Sequence, residues 1–141
     1  MDGAYLEDLE IGQTAELRRT VTAPDIDAFA AVTGDTNPVH LDEAYAAATP
    51  FKGRIAHGML SAGYISAVLG TTLPGPGAIY VSQTLNFRRP VRIGDEVVAE
   101  VKVTALDAAK GRATFATRCL VGGKAVVEGE AVVVVPRRPA A

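Results

Sequence analysis

At 141 residues, 48% hydrophobic and 21% charged, the chain has the length of one soluble domain, residues 1–141, burying about two thirds of its unfolded surface. Sixteen acidic residues against 14 basic ones give a net charge of -2, which argues against a nucleic-acid or anionic-membrane partner. A lone cysteine, Cys119, excludes an intrachain disulfide and a cysteine-built metal site. No apolar run nears the roughly 18 residues needed to span a membrane, and the acidic opening lacks the basic and apolar regions of a signal peptide. The expectation is a cytoplasmic protein.

Residues 13–21 alternate, Ala15, Leu17, Arg19 and Val21 on one face against Thr14, Glu16, Arg18 and Thr20, and predict a first strand. Thr22-Ala23-Pro24-Asp25 then reads as a helix start, with a capping hydroxyl, an early proline and an acid in the first turn. Ile26, Phe29, Ala30 and Thr33 continue the helical spacing until Gly34, which suits the left-handed position that ends a helix.

The next stretch carries the chemistry. Asp35 stands five residues before His40, and Pro38 between them forbids a helix interior and biases Asn37 toward extended backbone. The two side chains therefore share a short stiffened loop and can point into one space. Asp42 predicts a cap for a brief helix through Ala48, ended by Thr49-Pro50. From Gly58 to Gly70 the chain is apolar on all sides, the mark of a buried helix. Gly63 inside it costs roughly 1 kcal/mol against alanine, which predicts another backbone passing close by.

Beyond the irregular Leu73–Gly77 connector the chain reads as strands: residues 79–87, 97–105, 113–121 and 125–135, separated by turns at Gly94-Asp95, Lys110-Gly111 and Gly122-Gly123. A first strand, a buried helix and four long antiparallel strands predict an α+β layer architecture, a sheet of about five strands curled around a helix. Such a sheet leaves an edge that a second copy can cover.

Gly34-Asp35-Thr36-Asn37-Pro38-Val39-His40 resembles the signature of the MaoC-like, R-specific enoyl-CoA hydratases. The similarity continues through Ala56-His57-Gly58-Met59-Leu60, Asn86-Phe87-Arg88-Arg89-Pro90-Val91 and Gly94-Asp95-Glu96-Val97. The resemblance implies a hot-dog fold, usually paired as a homodimer. It also implies reversible syn addition of water to trans-2-enoyl-CoA, giving (R)-3-hydroxyacyl-CoA, a step that often feeds polyhydroxyalkanoate synthesis in bacteria. No cofactor is implied, coenzyme A being part of the substrate. By position Asp35 and His40 match the catalytic pair, the Gly58 amide the donor to the thioester oxygen, and Ser66 a serine that supports the aspartate.

Other readings stand beside these. Asp35 alone suits turn capping, and His40 alone a structural role. His57 shapes the turn into the apolar helix, and Asn37 braces the loop. Lys52, Arg54, Arg88 and Arg89 are candidate contacts for the coenzyme A phosphates. Asp35, His40 and His57 have metal-ligand character but no recognised zinc spacing, so no metal is expected. Cys119, in a strand pattern, reads as core. The rival functions are a related acyl-thioester enzyme, either a thioesterase or a 3-hydroxyacyl-carrier-protein dehydratase, and a non-catalytic acyl-CoA binding domain. The first pair commonly carry a carboxylate on the central helix, and residues 58–70 contain none.

Overall fold

The computed structural model describes residues 2–140. The predicted first strand is β1 (Thr14–Thr20). Helix α1 (Ala23–Thr33) follows as the sequence predicts, with Thr22 and Asp25 forming a reciprocal capping box and Gly34 closing it at φ 80°. Two short helices come next, α2 (Pro38–Leu41) and α3 (Glu43–Ala47), the latter capped by Asp42. Helix α4 (Gly58–Thr71) is the long one.

The remaining strands are β2 (Ile79–Gln83), β3 (Asn86–Phe87), β4 (Glu96–Asp107), β5 (Arg112–Val121) and β6 (Lys124–Val134). They form one antiparallel sheet in the order β1-β4-β5-β6-β2, with β3 also on β6. Gly122 and Gly123, at φ 57° and 79°, make the two-residue hairpin turn that joins β5 to β6. The sheet packs on α4 through one apolar layer. Ile65, Val68 and Leu69 of the helix meet Val97, Val101 and Val103 of β4, Phe115 and Cys119 of β5, and Val127 and Ala131 of β6 in that core. Each of the larger buried side chains contributes roughly 1.5–3 kcal/mol. No helix among the described residues is long and apolar enough to cross a membrane.

The structure departs from the sequence reading in four places. Residues 79–87 form two strands, so the sheet has six, because the chain bends at Thr84 over β6. There the Thr84 carbonyl lies 1.8 Å from where a Cβ of Gly129 would stand, a close approach that only glycine permits. Ala105 leaves the apolar face of β4, since the register with β5 shifts between Val103 and Ala105. His40 rides on a one-turn helix, not a loop, because Pro38 takes the first helical position, where its missing N–H costs nothing. Finally, α4 is not buried all round. Met59, Gly63, Ser66 and Gly70 form an exposed stripe, and nothing lies within 4 Å of a Cβ built on Gly63. The close backbone predicted there is absent from the chain's own fold.

Candidate active site

The segment from Thr33 to His40 is stiffened by its own side chains. Thr33 Oγ1 accepts from the Asp35 amide at 3.1 Å, Asp35 Oδ1 from the Asn37 amide at 3.3 Å, and Asn37 Oδ1 from the Val39 amide at 3.2 Å. Asp35 therefore does cap a turn, as its capping reading expected, and Asn37 braces the loop by capping α2. These bonds leave the second Asp35 oxygen without a partner of its own chain.

His40 is gripped by the next segment. Its Nδ1 lies 2.7 Å from the Ile55 carbonyl, Arg54 Nε donates to the His40 carbonyl at 2.6 Å, and the Ile55 amide donates to Val39 at 3.3 Å. That segment is itself pinned to the sheet side by the Ala56 amide on the Val91 carbonyl. A carbonyl only accepts, so His40 Nδ1 carries a proton, and in the neutral tautomer this selects the lone pair lies at Nε2.

His57 caps the start of α4 in sequence but not through its side chain. It is 2% exposed, its Nε2 donates to the Asp35 carbonyl at 2.9 Å, and its Nδ1 is buried without a partner. The ring stacks against His40 with centroids 3.9 Å apart and against Phe29 at 4.5 Å. One oxygen of Asp35 and one nitrogen of each histidine lie within 4.8 Å of one another. One water fits between groups at that spacing. The same three groups have the ligand types of a metal site, and a histidine whose other N–H is held by a carbonyl, as both are here, can present its second nitrogen to a water or to a metal.

Beside this cluster opens a cavity of about 500 Å³ lined by His40, Phe51, Ile55, Gly58, Phe87 and Val91 among others. The first amides of α4 lack intrahelical acceptors and carry the positive end of the helix dipole, so Gly58 N–H is a donor available to an oxygen there. A Cβ on Gly58 would stand 2.6 Å from the Phe87 ring, so any larger residue requires that exposed ring to move.

Of the four candidate phosphate contacts, Arg54 is corrected. Its guanidinium bonds the His40 carbonyl on one side and Asp27 at 2.9 Å on the other, and the side chain is 13% exposed. It is a clamp on the site, with two of its nitrogens committed to its own chain. Arg88 and Arg89 line the cavity, Arg88 3.6 Å from Glu128 and Arg89 bonded to the Ala125 carbonyl. Lys52 is exposed, at φ 63°. Ser66 does not reach Asp35 in its own chain. It lies eight residues beyond Gly58, about 12 Å along the helix, and sits against the Tyr80 phenol, whose pKa burial raises and Ser66 partly offsets. Cys119 is core, its thiol pushed up to about 12 by burial. Sequence reasoning missed Phe29 and the Ile55 carbonyl as parts of the site. Phe29 fell in a helical apolar pattern that reads as ordinary core, and a backbone carbonyl leaves no residue-type signal.

The MaoC like domain family matches residues 8–125. The (R)-specific enoyl-CoA hydratase of Rhodospirillum rubrum is 60% identical over 95% of this chain and 93% of its own length. The (R)-specific enoyl-CoA hydratase of Aeromonas caviae is 51% identical over 92% of this chain and 98% of its own. An unliganded R-hydratase from Pseudomonas aeruginosa superposes with a TM-score of 0.92 at 50% identity, covering 96% of this chain and 88% of that one.

Proposed function

The chain belongs to the MaoC-like family, and from that premise and the site geometry we propose that it is an (R)-specific enoyl-CoA hydratase, a hydro-lyase. The observation that carries the reading is the convergence of an Asp35 oxygen and a His40 nitrogen within 4.8 Å, next to the free amide of Gly58. Asp35 and the His40 Nε2 lone pair are both acceptors, so together they orient the two hydrogens of one water. As the water oxygen bonds to C3 of the enoyl thioester, one of the pair takes its proton. Charge gathers on the thioester oxygen, where the Gly58 amide and the helix dipole stabilise it. The proton then passes to C2 on the same face, which makes the addition syn and leaves both residues as they began. Every atom comes from water or substrate, so the reaction runs without a cofactor, coenzyme A being part of the substrate.

The substrate's phosphates have Arg88, Arg89 and Lys52 as their candidate partners, with Arg54 withdrawn. The partner copy is a second identical chain. Edge strand β2 exposes Ile79 at 64% and Val81 at 43%, and the uncovered stripe of α4 carries Ser66 and Gly63. A homodimer closing over these surfaces also accounts for a glycine where no neighbour exists within the chain. A lone, buried cysteine and an acyl-CoA substrate suit a cytoplasmic setting.

The test is the enoyl-thioester absorbance of crotonyl-CoA on addition of the protein. Its decay to (R)-3-hydroxybutyryl-CoA is expected. Release of free coenzyme A would instead mean a thioesterase, and an unchanged spectrum with bound ligand a non-catalytic binder.

A further inference from the structure

We infer that His57 is a positioning residue that locks Asp35 and His40 into register, and that its second nitrogen stays outside the proton traffic. The inference rests on the hydratase reading and adds a residue that the reading does not use. Among the described residues, every other hydrogen bond of residues 34–37 runs to residues 30–40, that is, within the loop and the helices at its ends. The His57 Nε2–H bond to the Asp35 carbonyl at 2.9 Å is the single tie between that loop and α4, the element that presents the Gly58 amide. Without it the carboxylate is linked to the thioester donor only through the bonds of Val39 and His40 to Ile55.

The same ring sets His40. The bond from His40 Nδ1 to Ile55 fixes one point of the imidazole, and a ring held at one nitrogen still tilts. The His57 face, 3.9 Å away and itself backed by Phe29, removes that tilt and aims Nε2. A misplacement of about 1 Å in such a group costs on the order of 10²-fold in rate.

The two carbonyl acceptors also force opposite tautomers: N–H at Nδ1 in His40, N–H at Nε2 in His57. The remaining lone pair of His57, on Nδ1, is sealed in the protein with no partner. Among the described residues that nitrogen is shut off from solvent and from any hydrogen-bond partner. Proton transfer is thereby left to Asp35 and His40 Nε2.

These are the only two histidines of the chain, so long-range ¹H–¹⁵N spectra of the imidazoles contain two ring systems and no others. At pH about 8.5, two units above a free imidazole, the expected spectrum holds one Nδ1–H and one Nε2–H ring, and His40→Gln removes the former. Two rings of the same tautomer, or loss of the Nε2–H ring in His40→Gln, would overturn the inference. Kinetics of crotonyl-CoA hydration supply the second arm. His57→Phe keeps the stacked face and loses the donor, while His57→Gln keeps a donor and loses the face. Each is expected to lower kcat by about 10–10²-fold with KM within twofold. Wild-type kcat in both folded variants, or a loss confined to KM, would contradict it. An inactive wild type would count against the hydratase reading instead, and the tautomer arm would still decide the inference.

Discussion

At the residue scale the proposed chemistry needs three groups: an Asp35 oxygen, His40 Nε2 and the Gly58 amide. Asp35→Asn and His40→Gln are each expected to lower hydratase turnover by at least about 10²-fold with the circular dichroism unchanged, the size typical of an acid–base group. Near wild-type turnover in either folded variant would remove that residue from the mechanism. For Gly58, proline deletes the donor, and the preceding His57, at ψ 134°, already has the extended backbone that a following proline requires. Any Cβ at this position meets Phe87, so the comparison is made in a Phe87→Ala background. There Gly58→Pro is expected to lose about 10²–10³ in kcat and Gly58→Ala only a few-fold. Equal losses would make crowding, not the lost N–H, the cause. Cys119 supplies a control on the core. Burial makes the folded state hold the thiol proton more tightly than the unfolded chain, with a pKa of about 12 against an ordinary 9.0. Stability from this difference is complete below pH 9 and falls as pH climbs from there toward 12. A thiol reagent at pH 8 should therefore label Cys119 only once the protein is unfolded. Rapid labelling of native protein would place the side chain elsewhere.

At the element scale the site is a junction of three short segments held by main-chain bonds. Arg54 is the clearest case, joining α1 through Asp27 to the carbonyl of His40. Arg54→Lys keeps the charge but loses the planar fork that serves both partners. It is expected to lower kcat about tenfold or more with KM for crotonyl-CoA nearly unchanged. A raised KM at constant kcat would restore the phosphate-binding role. Gly129 controls the bend that separates β2 from β3. Gly129→Ala drives a methyl into the Thr84 carbonyl and is expected to destabilise the fold by about 1–3 kcal/mol in urea unfolding. Much of this level was legible in the sequence. Periodicity, Pro24, Gly34 and Asp42 located α1, α3 and α4 within a residue or two, and the apolar alternation of residues 97–105 with the turns at Lys110-Gly111 and Gly122-Gly123 located β4 to β6, while α2 was not foreseen. The break at Thr84 was not legible, because its cause lies on a strand 45 residues later. Arg54 was misread for a related reason. A charged side chain near a turn looks solvated until the fold brings a carbonyl and a carboxylate to it.

At the scale of the whole molecule one chain leaves surfaces that its own fold does not use. Asp35 is exposed, and so is the stripe of α4 that the sequence marked as buried. The apolar pattern of residues 58–70 predicts burial on all sides, and one chain alone does not meet it along this stripe. Sedimentation is expected to give a dimer at micromolar concentration. A Cβ at exposed Gly63 meets nothing within 4 Å, so Gly63→Arg should leave the monomer folded and shift the mass toward a single chain. A monomeric wild type, or a dimer indifferent to this arginine, would move the interface off the helix.

The pair Asp35 and His40 delivering one water to one face of the double bond is the claim on which everything else depends. The direct measurement is hydration of crotonyl-CoA in D₂O, with the configuration at C3 and the position of deuterium at C2 read by NMR. The expected product is (R)-3-hydroxybutyryl-CoA with deuterium on the face that received the hydroxyl. An (S) product, deuterium on the opposite face, or no hydration by the folded wild-type protein would contradict it.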